Sequence, residues 1–215
     1  MSSQPTHSPH TLAYLVSAYP AVSHTFILRE LQALGALGHR IRTASINPPD
    51  RPLHLMDELE REQARATFCV KQQGLLGAVG ALMGWGLEAP LRLASMFRQG
   101  WTHRSGTRAW IGLAYAVEAA MVARWMKRHG MARLHVHFGN AGANVGLLVK
   151  QLTGCHLSMT IHGPDEFDDV PGQQLARKIR EADAVVCISS FVRSQLLRIA
   201  GTSQESKLHL CRLGV

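Results

Sequence analysis

The sequence predicts an α/β protein with a doubly wound, mostly parallel sheet that carries helices on both faces. Short apolar runs of strand length alternate with segments of helical periodicity in the first 50 residues, and the same alternation resumes after residue 130. Glycines stand where several of the predicted helices end. Regular alternation of strands and helices is the pattern of a parallel sheet covered on both sides.

The first unit is a strand, a helix and a second strand. Residues 11–17 are an apolar run, Ser23 is a candidate N-cap, Gly38 ends the helix, and residues 40–46 alternate polar and apolar side chains. The apolar residues of the helix recur at helical spacing: Phe26, Ile27, Leu31 and Leu34. A strand, helix and strand of this length indicate parallel strands with a right-handed crossover.

The rest of the chain divides into an interruption and a regular half. Residues 1–10 are polar and predict a disordered lead-in, and residues 50–105 predict one or two helices laid over the sheet or protruding from it. A long helix is predicted at 107–129. Strands then follow at 134–138, 156–161, 184–188 and 207–211, with helices at 141–152, 173–181 and 191–200.

The composition excludes several classes of protein. Hydrophobic residues make up 46% and charged residues 18%, which argues against a disordered chain. The net charge of +8 comes from 23 Lys and Arg against 15 Asp and Glu, and it favours an anionic partner. Because the basic residues are scattered along the chain, no nucleic-acid partner is predicted.

Cysteines and apolar segments predict the cellular compartment. Cys69, Cys155, Cys187 and Cys211 form no C-x-x-C pair, as expected for reduced thiols in a cytosolic protein. The first ten residues contain no apolar core of a signal peptide, and no run of 18 apolar residues occurs. We therefore expect a cytoplasmic protein.

Polar side chains follow four of the predicted strands and should meet at one edge of the sheet. Ligands of open α/β sheets bind beyond the carboxyl ends of the strands, where helix N-termini also point. The candidate substrate-binding residues there are Tyr19, Ser23, His137, Asn140, Asp165 and Ser189, with His162 as the candidate catalytic residue. Capping alone is the alternative explanation for Ser23 and Ser189, and a packed or turn position is the alternative for His162.

Two rival sites are open to the same residues. His135 and His137 are two positions apart on a strand, so they share a face, and His162 with Asp165 could complete the metal site of a metal-dependent hydrolase. A dinucleotide site requires G-x-G-x-x-G after the first strand, and residues 17–23 contain no glycine.

The motifs of this chain resemble those of family 4 glycosyltransferases, most closely the branch that builds bacterial exopolysaccharides such as colanic acid. The resemblance covers residues 12–215 and is weakest across 50–105. The motifs that carry it are YLVSAYP at 14–20, SHTFI at 23–27, RE at 29–30, GH at 38–39, HVHFG at 135–139, TIHGPD at 160–165, AD at 182–183, IS at 188–189 and LGV at 213–215.

The resemblance implies one half of a GT-B fold, in which two Rossmann-like domains face each other across a cleft. Residues 11–215 would be the amino-terminal, acceptor-side domain, with a helical insertion at about 50–130. The carboxyl-terminal donor domain, with its pair of glutamates eight positions apart, is absent from this sequence, so the chain alone is expected to be inactive. The alternative is a truncated, non-catalytic module that binds a glycan or a lipid.

The resemblance also implies a reaction and residue roles. A sugar would pass, with retention, from a nucleotide-diphosphate donor as co-substrate to a glycan or polyprenyl-diphosphate-linked acceptor, without a metal or other cofactor. His162 would reach the donor sugar and Asp165 a sugar or acceptor hydroxyl. His137 and Asn140 would line the acceptor side. Tyr19 and Ser23 would lie near the donor phosphates, and His24 stands where relatives often have an acid.

Residues 74–101 suggest contact with a membrane surface. The segment is apolar and rich in glycine, contains Trp85 and Trp101, and is flanked by basic residues. Such a segment can lie in the lipid interface, and this predicts a peripheral position on the inner face of the cell membrane. A helix packed on the sheet is the alternative.

Overall fold

A computed structural model shows a seven-stranded sheet in which every strand pairs in parallel with its neighbours. It describes residues 11–102 and 109–212. The strands are β1 (Leu12–Ala18), β2 (Ile41–Asn47), β3 (Phe68–Cys69), β4 (Arg133–His137), β5 (His156–Ile161), β6 (Ala184–Cys187) and β7 (Leu208–Leu210). The predicted α/β fold class with a parallel, Rossmann-like sheet is confirmed.

Helices connect the strands and cover the sheet. They are α1 (Thr25–Ala36), α2 (Glu58–Ala66), α3 (Gly74–Glu88), α4 (Pro90–Thr102), α5 (Ala109–Arg128), α6 (Ala141–Thr153), α7 (Pro164–Asp168), α8 (Val170–Gln173), α9 (Leu175–Glu181) and α10 (Ser190–Ala200). The helices α4, α5 and α6 pack together, and α3 lies against α5. The predicted insertion is therefore a helical layer that joins the main core.

The strand order reverses in the middle of the sheet. Strands run β3-β2-β1-β4-β5-β6-β7, so the chain winds one way from β1 to β3 and the other way from β4 to β7. The carboxyl ends of β1 and β4 are therefore adjacent while their following segments diverge. Such a switch point opens a crevice where ligands of this fold class bind.

The two faces of the sheet differ in polarity at β4. Leu134 and Val136 point into the main core, which the insertion helices and the later helices cover. His135 and His137 point to the opposite face, where α1 packs. Because side chains alternate along a strand, the HVH sequence places both imidazoles on one side, as predicted.

Some predicted elements differ from the observed ones. The two-residue strand β3 was not predicted, and with α2 it adds a further strand–helix–strand unit at the sheet edge. The predicted helix at 173–181 is broken at Gln174, which has a left-handed backbone (φ 51°) between α8 and α9. Ser23 does not cap α1, because residues 22–24 form a turn of 3₁₀-helix and His24 takes the N-cap position.

The cysteines are free thiols in the part of the chain that the structure describes. Cys69, Cys155 and Cys187 are buried, whereas Cys211 is exposed. The predicted lead-in at 1–10, the start of the long helix at Thr107 and the motif at 213–215 lie outside the described residues.

Glycines allow α4 and α5 to cross closely. A Cβ added to Gly100 would lie 2.7 Å from the carbonyl oxygen of Gly112, and a Cβ on Gly112 would overlap the carbonyl of Gly100. Because both obstacles are backbone atoms, neither can yield by a rotamer change. The contact therefore requires two glycines and fixes α4 against α5.

We expect Gly112→Ala to destabilise the fold. Overpacking of this kind costs about 1–3 kcal/mol. Gly80→Ala in α3 is the matched control, since an added Cβ there meets no atom within 4 Å, and a helical Gly→Ala change should stabilise by about 0.8–1 kcal/mol. Urea unfolding of both variants measures the difference. Equal stability of the two variants would contradict this view of the helix crossing.

Candidate functional site

A hydrogen bond joins β1 to the loop after β4 at the switch point of the sheet. The Ser17 hydroxyl donates to Asn140 Oδ1 over 2.9 Å, and the same oxygen accepts the N–H of Gly142 over 3.0 Å. Asn140 is thereby the N-cap of α6. The N-terminus of α6, with its partial positive charge, therefore lies at the crevice.

His162 stands at the end of β5 on the same edge of the sheet. Its ring is partly exposed and packs against two phenylalanines, with centroid distances of 4.8 Å to Phe26 and 4.4 Å to Phe138. Burial, with a further contribution from nearby His24, lowers the pKa of His162 to about 4. The imidazole is therefore neutral at pH 7 and is held in an aromatic frame.

The backbone next to this frame is strained. Phe138 has a φ of 70°, a left-handed conformation that is a clear outlier for a bulky residue. Its N–H donates to the carbonyl oxygen of Thr160 over 3.0 Å. Backbone strain of this kind costs about 1–3 kcal/mol and persists only where the surroundings enforce it. Here the enforcing groups are Glu166 and Lys178.

Glu166 ties the ends of β4 and β5 together with one buried carboxylate. Oε1 accepts the N–H of Gly139 over 2.6 Å, while Oε2 accepts the N–H groups of His162 over 3.1 Å and Gly163 over 2.6 Å. Glu166 is only 4% exposed. Three backbone donors on one carboxylate compensate for the loss of water around it.

Lys178 secures the same loop from the other side. Its ammonium group is fully buried and donates to the carbonyl oxygens of Gly139 over 2.7 Å and Asn140 over 3.1 Å. Burial and the charge of Arg177 lower its pKa to about 7, against the raising effect of Glu166. Glu166 and Lys178 therefore hold the loop that follows β4 through both its donor and its acceptor groups.

A polar cluster lies behind His162, between the sheet and α1. His137 Nδ1 is 3.4 Å from His162 Nε2, and His137 Nε2 is 3.4 Å from Glu30 Oε2 but without hydrogen-bond geometry. The Tyr14 hydroxyl donates to Glu30 Oε1 over 2.7 Å. His135 contacts two hydroxyls, Ser158 Oγ at 2.8 Å and Thr160 Oγ1 at 3.0 Å.

Burial sets the protonation of this cluster. It lowers the pKa of His135 to about 4 and that of His137 to about 2, with neighbouring histidines adding to the shift. It raises the pKa of Glu30, against the effect of the Tyr14 hydrogen bond. Ligand atoms of Glu30, His135 and His137 lie within 4.8 Å of one another, so these residues could hold a metal ion.

The predicted site residues occupy different positions along this edge. Asn140 and His162 border the crevice, whereas His137 has no exposed surface and contacts His162 from behind. Tyr19 is 1% exposed, and among the described residues its hydroxyl has no hydrogen-bond partner. Both buried side chains therefore support the site rather than present themselves to a ligand.

The remaining predicted residues are two serines and an acid. Ser23 is exposed, and Ser189 caps α10 by accepting the N–H of Val192 over 3.1 Å. The backbone of Asp165 is in α7, but its side chain lies outside the part of the chain that is described. Among the described side chains, Glu30 lies with His135 and His137, and Glu30 was not part of the predicted metal set.

His24 holds a fixed orientation in the turn that follows β1. Its Nδ1–H donates to the carbonyl oxygen of Ala18 over 3.1 Å, which leaves Nε2 as a hydrogen-bond acceptor. Burial lowers the pKa of His24. His24 therefore provides a neutral hydrogen-bond acceptor at this point.

Three residues of the site were missed by the sequence analysis. Glu166 lies three positions after Gly163, the spacing of a capping box, and this was a usable signal. Glu30 is an acid on the apolar face of α1, four positions after Phe26 and four before Leu34, and this was a usable signal, although His135 is 105 positions away. Lys178 lies in a helix of ordinary composition, and nothing in its local sequence marks it as buried.

Comparisons with known proteins agree with this architecture. The family model described as Glycosyltransferase Family 4 matches residues 98–215, which is more than half of the chain. A glycosyltransferase from Rickettsia africae ESF-5 has a similar structure, with a TM-score of 0.54, 16% sequence identity and 97% coverage of this chain. This chain spans 44% of the length of that structure. No curated protein matches the chain significantly.

At that low identity the structural likeness supports the fold alone. The family model supplies the assignment, because its match includes β4, β5, β6 and the loops that carry His137, Asn140, His162 and Glu166. The chain belongs to glycosyltransferase family 4.

Proposed function

We propose that this chain is the acceptor-side half of a retaining glycosyltransferase that moves a sugar from a nucleotide-diphosphate donor to an acceptor hydroxyl. The observation that supports this most directly is His162, a neutral and partly exposed imidazole fixed at the switch point of the sheet. A neutral imidazole can both donate and accept a hydrogen bond. It therefore suits the hydroxyl groups of a sugar.

His162 positions the donor sugar and stabilises the transition state. A pKa of about 4 makes it a weak proton acceptor at neutral pH, which argues against a role as general base. The Phe26 and Phe138 rings restrict the imidazole. Fixed dipoles aimed at developing charge contribute most where they need no reorganisation during the reaction.

Helix N-termini contribute to the neutralisation of the leaving diphosphate, and the transfer step itself uses no metal. The N-termini of α6 and α10 follow β4 and β6 at the carboxyl edge of the sheet. Asn140 and Ser189 cap these helices and, with Ser23 and Asp165, supply polar groups for substrate. A second Rossmann-like half binds the nucleotide and closes the cleft, as the greater length of the solved neighbour suggests.

We expect His162→Ala to lower kcat/KM by about 10²–10³, as for the loss of an oxyanion-hole donor. The assay uses the protein together with its donor-binding half, with a panel of UDP- and GDP-sugars. His156→Ala is the matched control, since His156 is exposed at the opposite end of the same strand. Near-normal turnover of the His162 variant would remove His162 from the mechanism.

The acceptor is a lipid-linked glycan at the cytoplasmic face of the membrane, within the synthesis of an exopolysaccharide. One face of α3 supports this proposal, because its large apolar side chains are exposed at helical spacing. They are Leu75 (79%), Leu76 (88%), Val79 (43%), Met83 (64%) and Leu87 (85%). We call this set the α3 stripe. Exposed Leu91 and Trp101 extend the apolar surface into α4.

Charge near the α3 stripe favours an anionic lipid surface. Arg92 and Arg98 of α4 are exposed, and the chain carries a net charge of +8. Contrary to the sequence-based expectation, Trp85 does not belong to this apolar surface. It is 6% exposed, and its indole N–H donates to the carbonyl oxygen of Ala120 over 3.1 Å. In the described residues, no helix combines the length and apolarity needed to cross a bilayer.

We expect the protein to float with vesicles that contain anionic lipid, and Leu76→Glu with Leu87→Glu to abolish this binding. The two glutamates would place charge on an apolar face that must enter the lipid interface. Leu37→Glu is the control, because Leu37 is a 75% exposed leucine outside the α3 stripe. Unchanged flotation of the double variant, or no binding of the parent protein, would contradict the proposal.

A further inference from the structure

The polar cluster behind His162 contains three potential metal ligands from two separate segments. Glu30 comes from α1, and His135 and His137 come from β4. One ligand atom from each lies within 4.8 Å of the other two. His135 and His137 are 6% and 0% exposed, so two of the three ligands are removed from water. We call these three residues the Glu30 cluster.

One nitrogen of the Glu30 cluster lacks a partner. His137 Nε2 is buried and makes no hydrogen bond among the described residues, although it is 3.4 Å from Glu30 Oε2. If His137 Nδ1–H donates to His162 Nε2, the lone pair on His137 Nε2 faces the carboxylate oxygen of Glu30 directly. A buried nitrogen lone pair and a carboxylate oxygen that converge in this way require a cation or a proton between them.

The distance between Glu30 and His137 agrees with coordination geometry. Zinc bonds to imidazole nitrogen and carboxylate oxygen are about 2.0–2.2 Å long, which places neighbouring ligand atoms of a tetrahedron about 3.3–3.6 Å apart. The 3.4 Å between Glu30 Oε2 and His137 Nε2 is within that range. The same distance is long for a direct hydrogen bond.

Each potential ligand is also oriented by an outer partner, as metal ligands usually are. The Tyr14 hydroxyl donates to the second oxygen of Glu30 over 2.7 Å, and His162 faces the second nitrogen of His137. Hydroxyls of Ser158 and Thr160 contact the two nitrogens of His135. Coordination would replace one of these hydroxyl contacts and keep the other.

We propose that Glu30, His135 and His137 bind a divalent first-row transition cation of the zinc class, with water in the fourth position. Two imidazoles and one carboxylate suit Zn²⁺ and Co²⁺ better than Ca²⁺ or Mg²⁺. The Glu30 side chain is 33% exposed and provides the route of entry. The cation orients His137, and through His137 it orients His162, from behind the crevice. Binding of the cation does not depend on the proposed sugar transfer.

The test is titration of the metal-free chain with Zn²⁺ by calorimetry and with Co²⁺ by visible absorption. We expect one ion per chain, an intense tetrahedral Co²⁺ spectrum and a rise in Tm with Zn²⁺. Glu30→Gln and His137→Gln should each weaken binding by more than about 100-fold, whereas Tyr14→Phe, which keeps all three ligands, should weaken it by about 10–100-fold.

Control variants separate this site from adventitious binding. His156→Gln and Cys211→Ser remove an exposed histidine and the exposed cysteine, and both should bind as the parent protein does. Absence of stoichiometric binding by the parent chain would overturn the proposal and indicate a proton in place of the cation. Binding that survives both Glu30→Gln and His137→Gln would overturn it as well. If His137→Gln fails to fold, Glu30→Gln and Tyr14→Phe decide the result.

Discussion

The candidate site depends on two side chains buried within the fold, the carboxylate of Glu166 and the amino group of Lys178. Burial of either group alone is costly, and each is stabilised here by backbone groups of the loops that it holds. Glu166 accepts N–H groups from both loops, and Lys178 donates to carbonyl oxygens of the loop after β4. The ends of β4 and β5 therefore behave as one rigid unit.

This unit accounts for the geometry around His162. It holds the left-handed backbone of Phe138, whose ring then packs against the imidazole at 4.4 Å. The reversal of strand order at β1 and β4 places the same unit at the opening of the crevice, beside the capped N-terminus of α6. Sheet topology thus determines where the site lies, and Glu166 and Lys178 hold the loops around it in place.

The fold was largely predictable from the sequence because strands and helices of ordinary length show a regular spacing of apolar residues. β3 was not predicted, since two residues are too few to show any period. Ser23 was expected to cap α1, but a 3₁₀ turn displaces the helix start to His24. The break at Gln174 is equally local, and it depends on a left-handed residue that is not glycine.

The site was predictable only in part, for a physical reason. His162 and Asn140 follow strands directly, so the topology alone brings them to the carboxyl edge of the sheet. Whether a side chain there faces solvent or the interior depends on helices from distant parts of the sequence. Tyr19 and His137 are buried because α1 covers their face of the sheet. Glu30 joins the histidines through the same packing: its position on the apolar face of α1 directs it toward the sheet, but the local sequence does not identify its partners.

The most direct test of this account is the titration of His162 in the parent chain and in Glu166→Gln, followed by ¹H–¹⁵N NMR of the imidazole nitrogens. In the parent chain we expect His162 to stay neutral down to a pKa of about 4. Loss of the carboxylate should release the loops and move this pKa toward its ordinary value of about 6.5. Glu62→Gln, an exposed glutamate of α2, should leave it unchanged. An identical titration of His162 with and without the Glu166 carboxylate would contradict the claim that this buried charge holds the site.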